Sequence, residues 1–423
     1  MTEATHPPAF DPASDSAALL NRIGLAILGV IVPCLLVATR HPLFLLMPVG
    51  AGLILSAALV DSQSRGMEHI RHALASPILM AAVLFSLWCL ASLAWDPFRN
   101  EAALRFAKVL GTLALSMVTA AYLPERTKTS NLNLPPIGVA IAAIFALVLV
   151  LFAPEPVRAW IGSDADTLQR GAIGLETLLW PVLGALALRE RWNYCGLLAA
   201  VVALVALFAG SQLALFALVL AAATFAITLQ FPRHGPRTIA AVIAFSFLLA
   251  PLAPFLAHAL NAGGWFAPTS QAAAFFASLE EWRHLLLRDN WRILTGHGLD
   301  SAYSGLLAGY FPANVPSGLL FEIWFDLGLP GILLAAVIAA LSIRACRKFG
   351  SRLGPFMISG LISGLFIAMT DISISQLWWV NIVGIAGIAV THIVRGRYLT
   401  SRPKLQNGPP AEANTSVNSN SGI

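Results

Sequence analysis

Apolar residues fall into twelve blocks, some of them short, near 23–39, 43–60, 77–94, 104–122, 136–153, 173–188, 194–209, 212–229, 238–259, 318–341, 353–372 and 375–394. A helix needs about 20 apolar residues to cross roughly 30 Å of hydrocarbon. The pattern therefore predicts an all-α, polytopic integral membrane protein with about twelve transmembrane helices. Spans one to nine occupy 23–259 and spans ten to twelve occupy 318–394, between tails at 1–22 and 395–423. Residues 1–21 carry Glu3, Asp11 and Asp15 and lack a basic leader, so the first span is read as retained. Ser401–Ile423, rich in Pro, Asn and Ser, is expected to be disordered.

Composition supports a lipid-facing exterior. Apolar residues make up 57% and charged residues only 11%, with mean hydropathy +0.76. A water-facing globular surface needs about 25% charged residues, so the soluble domains that 423 residues would otherwise suggest are excluded. A net charge of +5 is too small to suggest a nucleic-acid partner. Cys34, Cys89, Cys195 and Cys346 lie far apart without a CxxC pair, which points to core packing rather than to disulfides or zinc. Seventeen of the 26 Lys and Arg fall on the side that holds both termini, so the positive-inside rule makes the termini cytoplasmic.

One connection stands apart. About 55 residues separate the ninth and tenth spans, and the domain 260–317 becomes a large periplasmic loop; loops this long inside a bundle are usually functional. Within it, 278–292 reads as a helix capped by Ser278, with Glu280 and Glu281 in its first turn. Leu279, Trp282, Leu286 and Ile293 share one face, suited to the outer lipid interface. His284, Arg288 and Arg292 recur every four residues along another. Arginines one turn apart suit a diphosphate, because each guanidinium binds phosphate oxygens bidentately. Contact with lipid headgroups is the plainer alternative.

Further outward cations flank the spans. Arg105 and Lys108 open the fourth and either bind an anion or snorkel to the interface. Arg170 precedes the sixth, which carries Glu176; ionisable groups at this depth usually face the bundle interior. At the tenth span, Gly318, Glu322 and Asp326 lie on one face, ahead of a kink expected at Pro330. The two acids suit a general base, a cation site or partners for arginine.

These segments resemble the O-antigen ligase and O-antigen polymerase family of bacterial membrane glycosyltransferases. Gln169-Arg170 is similar to the family's Asn-Arg pattern, and Glu281-Trp282 through Gly296-His297-Gly298-Leu299 to its tryptophan-bearing helix and Gly-x-Gly-Leu turn. Pro316, Leu319, Glu322, Asp326, Gly328 and Gly331 follow the spacing of its His-Pro-His-Asn and Glu-x-Gly-x-x-Gly motifs. The resemblance covers most of the chain as topology, with local motifs in about a hundred residues. It implies an inner-membrane enzyme that moves a glycan from an undecaprenyl diphosphate carrier to a lipid or glycan acceptor at the periplasmic face, without metal, cofactor or nucleotide sugar. Arg170 carries over as a diphosphate ligand, with Arg288 or Arg292 in the second arginine role.

The chain departs from the pattern at the base. Val315-Pro316-Ser317-Gly318 stands where His-Pro-His-Asn is expected, and Gly210-Ser211-Gln212 where relatives often have Ser-Arg. His284, His297, Glu322 and Asp326 are the remaining candidate bases. Two other readings stay open: a non-catalytic relative that binds lipid-linked glycan or scaffolds a polysaccharide export complex, and a secondary transporter or flippase.

Overall fold

The computed structural model describes residues 12–39, 41–61, 65–124, 130–152, 166–262, 270–288, 291–312, 314–373 and 376–396. The expected disorder of Ser401–Ile423 and the loop cations Arg40, Arg126, Lys128 and Arg158 lie outside these residues. The described residues are all-helical, without strands. In chain order the helices are α1 Pro12–Ala26, α2 Val32–Ala38, α3 His41–Val60, α4 Gly66–Leu74, α5 Pro77–Ser92, α6 Arg99–Tyr122, α7 Leu134–Phe152, α8 Asp166–Ala187, α9 Trp192–Phe208 and α10 Gln212–Gln230. They continue as α11 Gly235–Leu249, α12 Leu252–Ala262, α13 Ser270–Arg288, α14 Arg292–Thr295, α15 Ser301–Leu307, α16 Leu319–Glu322, α17 Gly328–Cys346, α18 Gly350–Thr370 and α19 Leu377–Gly396.

Among the described residues, each of the twelve apolar blocks lies mainly on helix. By length and composition, seven helical stretches among the described residues can cross a bilayer, or nine if two bent pairs each make one crossing. Large apolar side chains such as Leu59, Phe152, Phe216 and Val219 face outward, as expected where lipid rather than water is the solvent. The chain is a polytopic membrane protein.

Among the described residues the helices pack around two large apolar cores and a smaller cluster of Ala240, Ile343, Ile358 and Ile362. The larger joins α1–α3 and α7–α10 to α18 and α19 around α8, whose residues Gly171–Ala185 are buried without a break. Gly171 and Gly174 allow this: a Cβ on Gly174 would lie 2.2 Å from Leu36. The second core gathers α5, α6, α11 and α17 with the segments between α13 and α16. Two cavities open at the helix ends, one at the start of α8 and one just beyond its C-terminus.

Four local expectations need correction. The ninth block reads as one continuous span, but α11 and α12 meet at a 79° bend beside Pro251, whose missing N–H cannot continue the ladder. The loop helix starts at Ser270 rather than being capped by Ser278, and Arg292 belongs to the separate α14, so only His284 and Arg288 share a helix. Its apolar face does not enter lipid: Trp282 is 5% exposed and sits edge-on to Phe321, 5.5 Å between ring centres, in the second core. The kink expected at Pro330 lies instead at a π turn, Ile323–Leu327, that ends on Gly328 with φ +62°. Pro330 falls in the first turn of α17, where a helix needs no N–H donor.

Candidate functional site

The break before α17 frees backbone carbonyls, and the loop and α5 take them. Phe325 O accepts from the His297 amide at 2.9 Å, Asp326 O from the Gly298 amide at 3.0 Å and Leu327 O from Trp88 Nε1 at 2.9 Å. Buried carbonyls need such partners. The approach is so close that a Cβ on Gly296 would lie 2.1 Å from Asp326 O, and Gly296 holds φ +74°. The Gly-His-Gly turn thus docks on the broken helix.

The same docking commits two of the four candidate bases. His297 stacks on Phe325 with ring centres 4.0 Å apart, its Nδ1 3.0 Å from Phe325 O. Asp326 Oδ1 accepts from the Ala302 amide at 2.8 Å, satisfying an orphan donor at the start of α15. Glu322 is buried in the same region. His284 is exposed on α13, its Nε2 3.3 Å from Glu280.

The cations separate in the same way. Arg105 pairs with Asp300, donates to Ser304 Oγ at 3.0 Å and lies over the Tyr303 ring at 4.8 Å. Burial raises the Asp300 carboxyl above the usual range, with Arg105 opposing. Burial likewise raises Asp96, which accepts from the Phe98 amide at 2.7 Å and from Ser301. Asp96, Asp300 and Arg105 therefore staple the start of α6 to α15. Arg105→Ala leaves a buried carboxylate without its cation and should lower stability by about 2–3 kcal/mol, the low end for a broken buried pair because Arg105 keeps some solvent. Thermal unfolding in detergent measures this, and Arg105→Ala/Asp300→Ala should recover part of the loss.

Arg292 donates to Gly296 O at 3.2 Å and covers the Trp291 ring at 4.2 Å. Arg288 and Lys108 are exposed. Nearby, Glu280 accepts from Arg283 at 2.5 Å and lies 3.0 Å from His258 Nδ1, clasping α13 to α12. The Arg283 hydrogen bond, then His258, holds the Glu280 carboxyl below its ordinary value. Its folded pKa is lowered, so the stabilisation is present above the ordinary value of 4.5 and lost as pH falls through the folded value. The protection factors of amides across Leu252–Ala262, with the intrinsic pH dependence of exchange divided out, should therefore fall as pH drops below the ordinary carboxylate value.

Arg170 stands in a different place. With Gln169 it lines an open cavity of about 600 Å³, together with His41, Tyr303, Ser317, Asp371 and Gln376. Phe44, Ile173, Ile372, Leu377 and Trp378 are its apolar lining residues. Ser317 Oγ donates to Asp371 Oδ1 at 3.1 Å, and Asp371 is exposed at the end of α18. Gly318 makes the junction possible, since a Cβ there would lie 2.3 Å from Met369 O. Tyr303 connects this cavity to Arg105 behind it. Of the five sequence-predicted anion ligands, only Arg170 lines the cavity, and none of the four predicted bases does.

Sequence reasoning missed Asp371, His41 and Gln376. The available signal was that each flanks a span on the side assigned outward, as Arg170 does. Among the described residues no group of three or more His, Cys, Asp or Glu is arranged to hold a metal ion. No protein-family model and no curated protein matches the chain.

Proposed function

We propose that the chain is a glycosyltransferase of surface-polysaccharide assembly, of the O-antigen ligase and polymerase kind, which takes its glycan from an undecaprenyl diphosphate carrier at the periplasmic face of the inner membrane. The observation that carries this reading is the shared cavity of Arg170, Ser317 and Asp371, open at the helix ends and lined in part by apolar side chains. Those side chains suit a prenyl chain, and Arg170 suits the diphosphate.

In this reading Asp371 accepts the proton of an acceptor hydroxyl. The hydroxyl oxygen bonds to the anomeric carbon as the bond from that carbon to the diphosphate oxygen breaks. The carrier leaves as a free diphosphate, and Arg170 holds the charge that develops on it. Ser317 occupies the position of the family's histidine and orients the Asp371 carboxylate.

Twelve crossings are supported by how the loops group, and cytoplasmic termini by the Lys and Arg bias of those loops. Alternating crossings put His41, Arg170, Tyr303, Ser317 and Asp371 on one side, and these line one cavity. They put Leu132, Arg189, Gly350 and Gly396 on the other side, and these line the second. A transporter reading is less well supported: Glu176 is fully buried, takes hydrogen bonds from Trp180 and Ser363, and lines neither cavity.

A non-catalytic lipid-linked-glycan binder is the second reading. Serine in place of histidine and a cavity lined by one of the five cations favour it. Reconstituted protein supplied with undecaprenyl-diphosphate-linked oligosaccharide and acceptor decides between them. Release of free undecaprenyl diphosphate with glycan transfer supports the enzyme; retention of intact donor without release supports the binder.

A further inference from the structure

The second cavity lies at the opposite end of α8. Arg189 follows that helix, and the distance from Arg170 along its axis is roughly 28 Å, close to the hydrocarbon thickness. This cavity of about 610 Å³ is lined by Arg189, Ser351 and Arg352, with Leu132, Leu188 and Phe349 among its apolar residues. It is therefore amphipathic: guanidinium groups and a hydroxyl lie beside aliphatic and aromatic side chains, at the ends of α8 and α19 and the start of α18.

The charge here is one-sided. Arg191, Arg347 and Lys348 stand close by in sequence, and Glu190 is the acid among the described loop residues between α8 and α9 and between α17 and α18. Arg352 meets Glu190 only at 3.9 Å, with both side chains about three-quarters exposed, so this pairing neutralises little. Arg189 is anchored by donating to the side-chain carbonyl of Asn133. Burial and the neighbouring Arg191 weaken the hold of Arg189 on its proton, as expected of a cation that an adjacent anion would stabilise.

We propose that this cavity binds the phosphate headgroup of an anionic phospholipid from the leaflet at that end of the bundle, with the first carbons of the acyl chains against Leu132, Leu188 and Phe349. Basic pockets between transmembrane helices suit such headgroups, and the volume is that of a small-ligand site. A free phosphate shares the charge chemistry but leaves the apolar wall without a role. The proposal is independent of the transferase reading, because it uses none of the residues around Arg170.

Native mass spectrometry of the full chain in detergent tests it, with phosphatidylglycerol, phosphatidylcholine and inorganic phosphate added in parallel. Phosphatidylglycerol should be retained at least about fivefold over phosphatidylcholine, and Arg352→Gln should cut that retention about fivefold, the effect of one arginine near a charged lipid. Leu188→Trp, which fills the cavity while keeping both arginines, should reduce retention as well. Arg352 is exposed, so Arg352→Gln carries the test even if Leu188→Trp does not fold. Equal retention of the two lipids, or undiminished phosphatidylglycerol in Arg352→Gln, would overturn the assignment. Retention of inorganic phosphate in place of lipid would overturn it in favour of a free-anion site.

Discussion

Cells that carry Arg170→Ala as their only copy should lose long-chain surface polysaccharide, and reconstituted Arg170→Ala protein should transfer glycan about 10²–10³-fold more slowly, the usual effect of removing one group that stabilises developing negative charge. Arg170 is the one predicted cation that lines the cavity, so the loss should be specific to it. Arg288 is exposed on α13 and should be replaceable by alanine within about twofold, as for most exposed charges. Arg292→Ala should act differently again. Its guanidinium holds Gly296 O beside the broken helix, so the expected effect is a lower melting temperature with turnover per folded molecule retained. A chain-length ladder on a gel, read beside the amount of inserted protein, separates the three outcomes. Equal losses for Arg170→Ala and Arg288→Ala would remove the special place given to the cavity.

Asp371→Asn is the second large effect. Removal of a general base slows proton transfer by about 10²–10⁴-fold, and turnover of the reconstituted protein should fall by that factor. Ser317→Ala should be milder, about fivefold, because it removes one orienting hydrogen bond and leaves the base in place. His297→Ala should lower stability, since that ring is stacked on Phe325. If Asp371→Asn kept full turnover, the proton would have to go elsewhere and Asp371 would not be the base.

The helical, membrane-crossing character was legible because hydrophobic blocks of this length have few other solutions in lipid. The core face of the loop helix was not legible. Its Leu279, Trp282 and Leu286 spacing describes an apolar stripe equally well against lipid or protein, and only Phe321 and the second core distinguish the two. The break before α17 was half legible. Pro330 signalled irregularity, but a proline in a first helical turn is harmless, and the π turn ending at Gly328 depends on tertiary partners, namely His297, Gly298 and Trp88.

Of the residues that line the cavity, the sequence singled out Arg170 as a ligand and left the rest obscure for a related reason. Arg105, Arg292 and Asp326 have the side chains that bind ligands, yet each is committed to a partner within the protein: Asp300, Gly296 O and the Ala302 amide. Sequence spacing along one helix cannot show commitments made to another. Asp371 lacked any motif of its own, and its meeting with Ser317 depends on α18 returning to the start of α16.

The most direct test is photo-crosslinking of the reconstituted full chain with an undecaprenyl diphosphate probe whose reactive group lies in the first isoprene unit, followed by peptide mapping. The expected adducts fall on Phe44, Ile173, Leu377 or Trp378, and Arg170→Ala removes them. Adducts confined to α13 and α14, or an unchanged pattern in Arg170→Ala, would contradict the account.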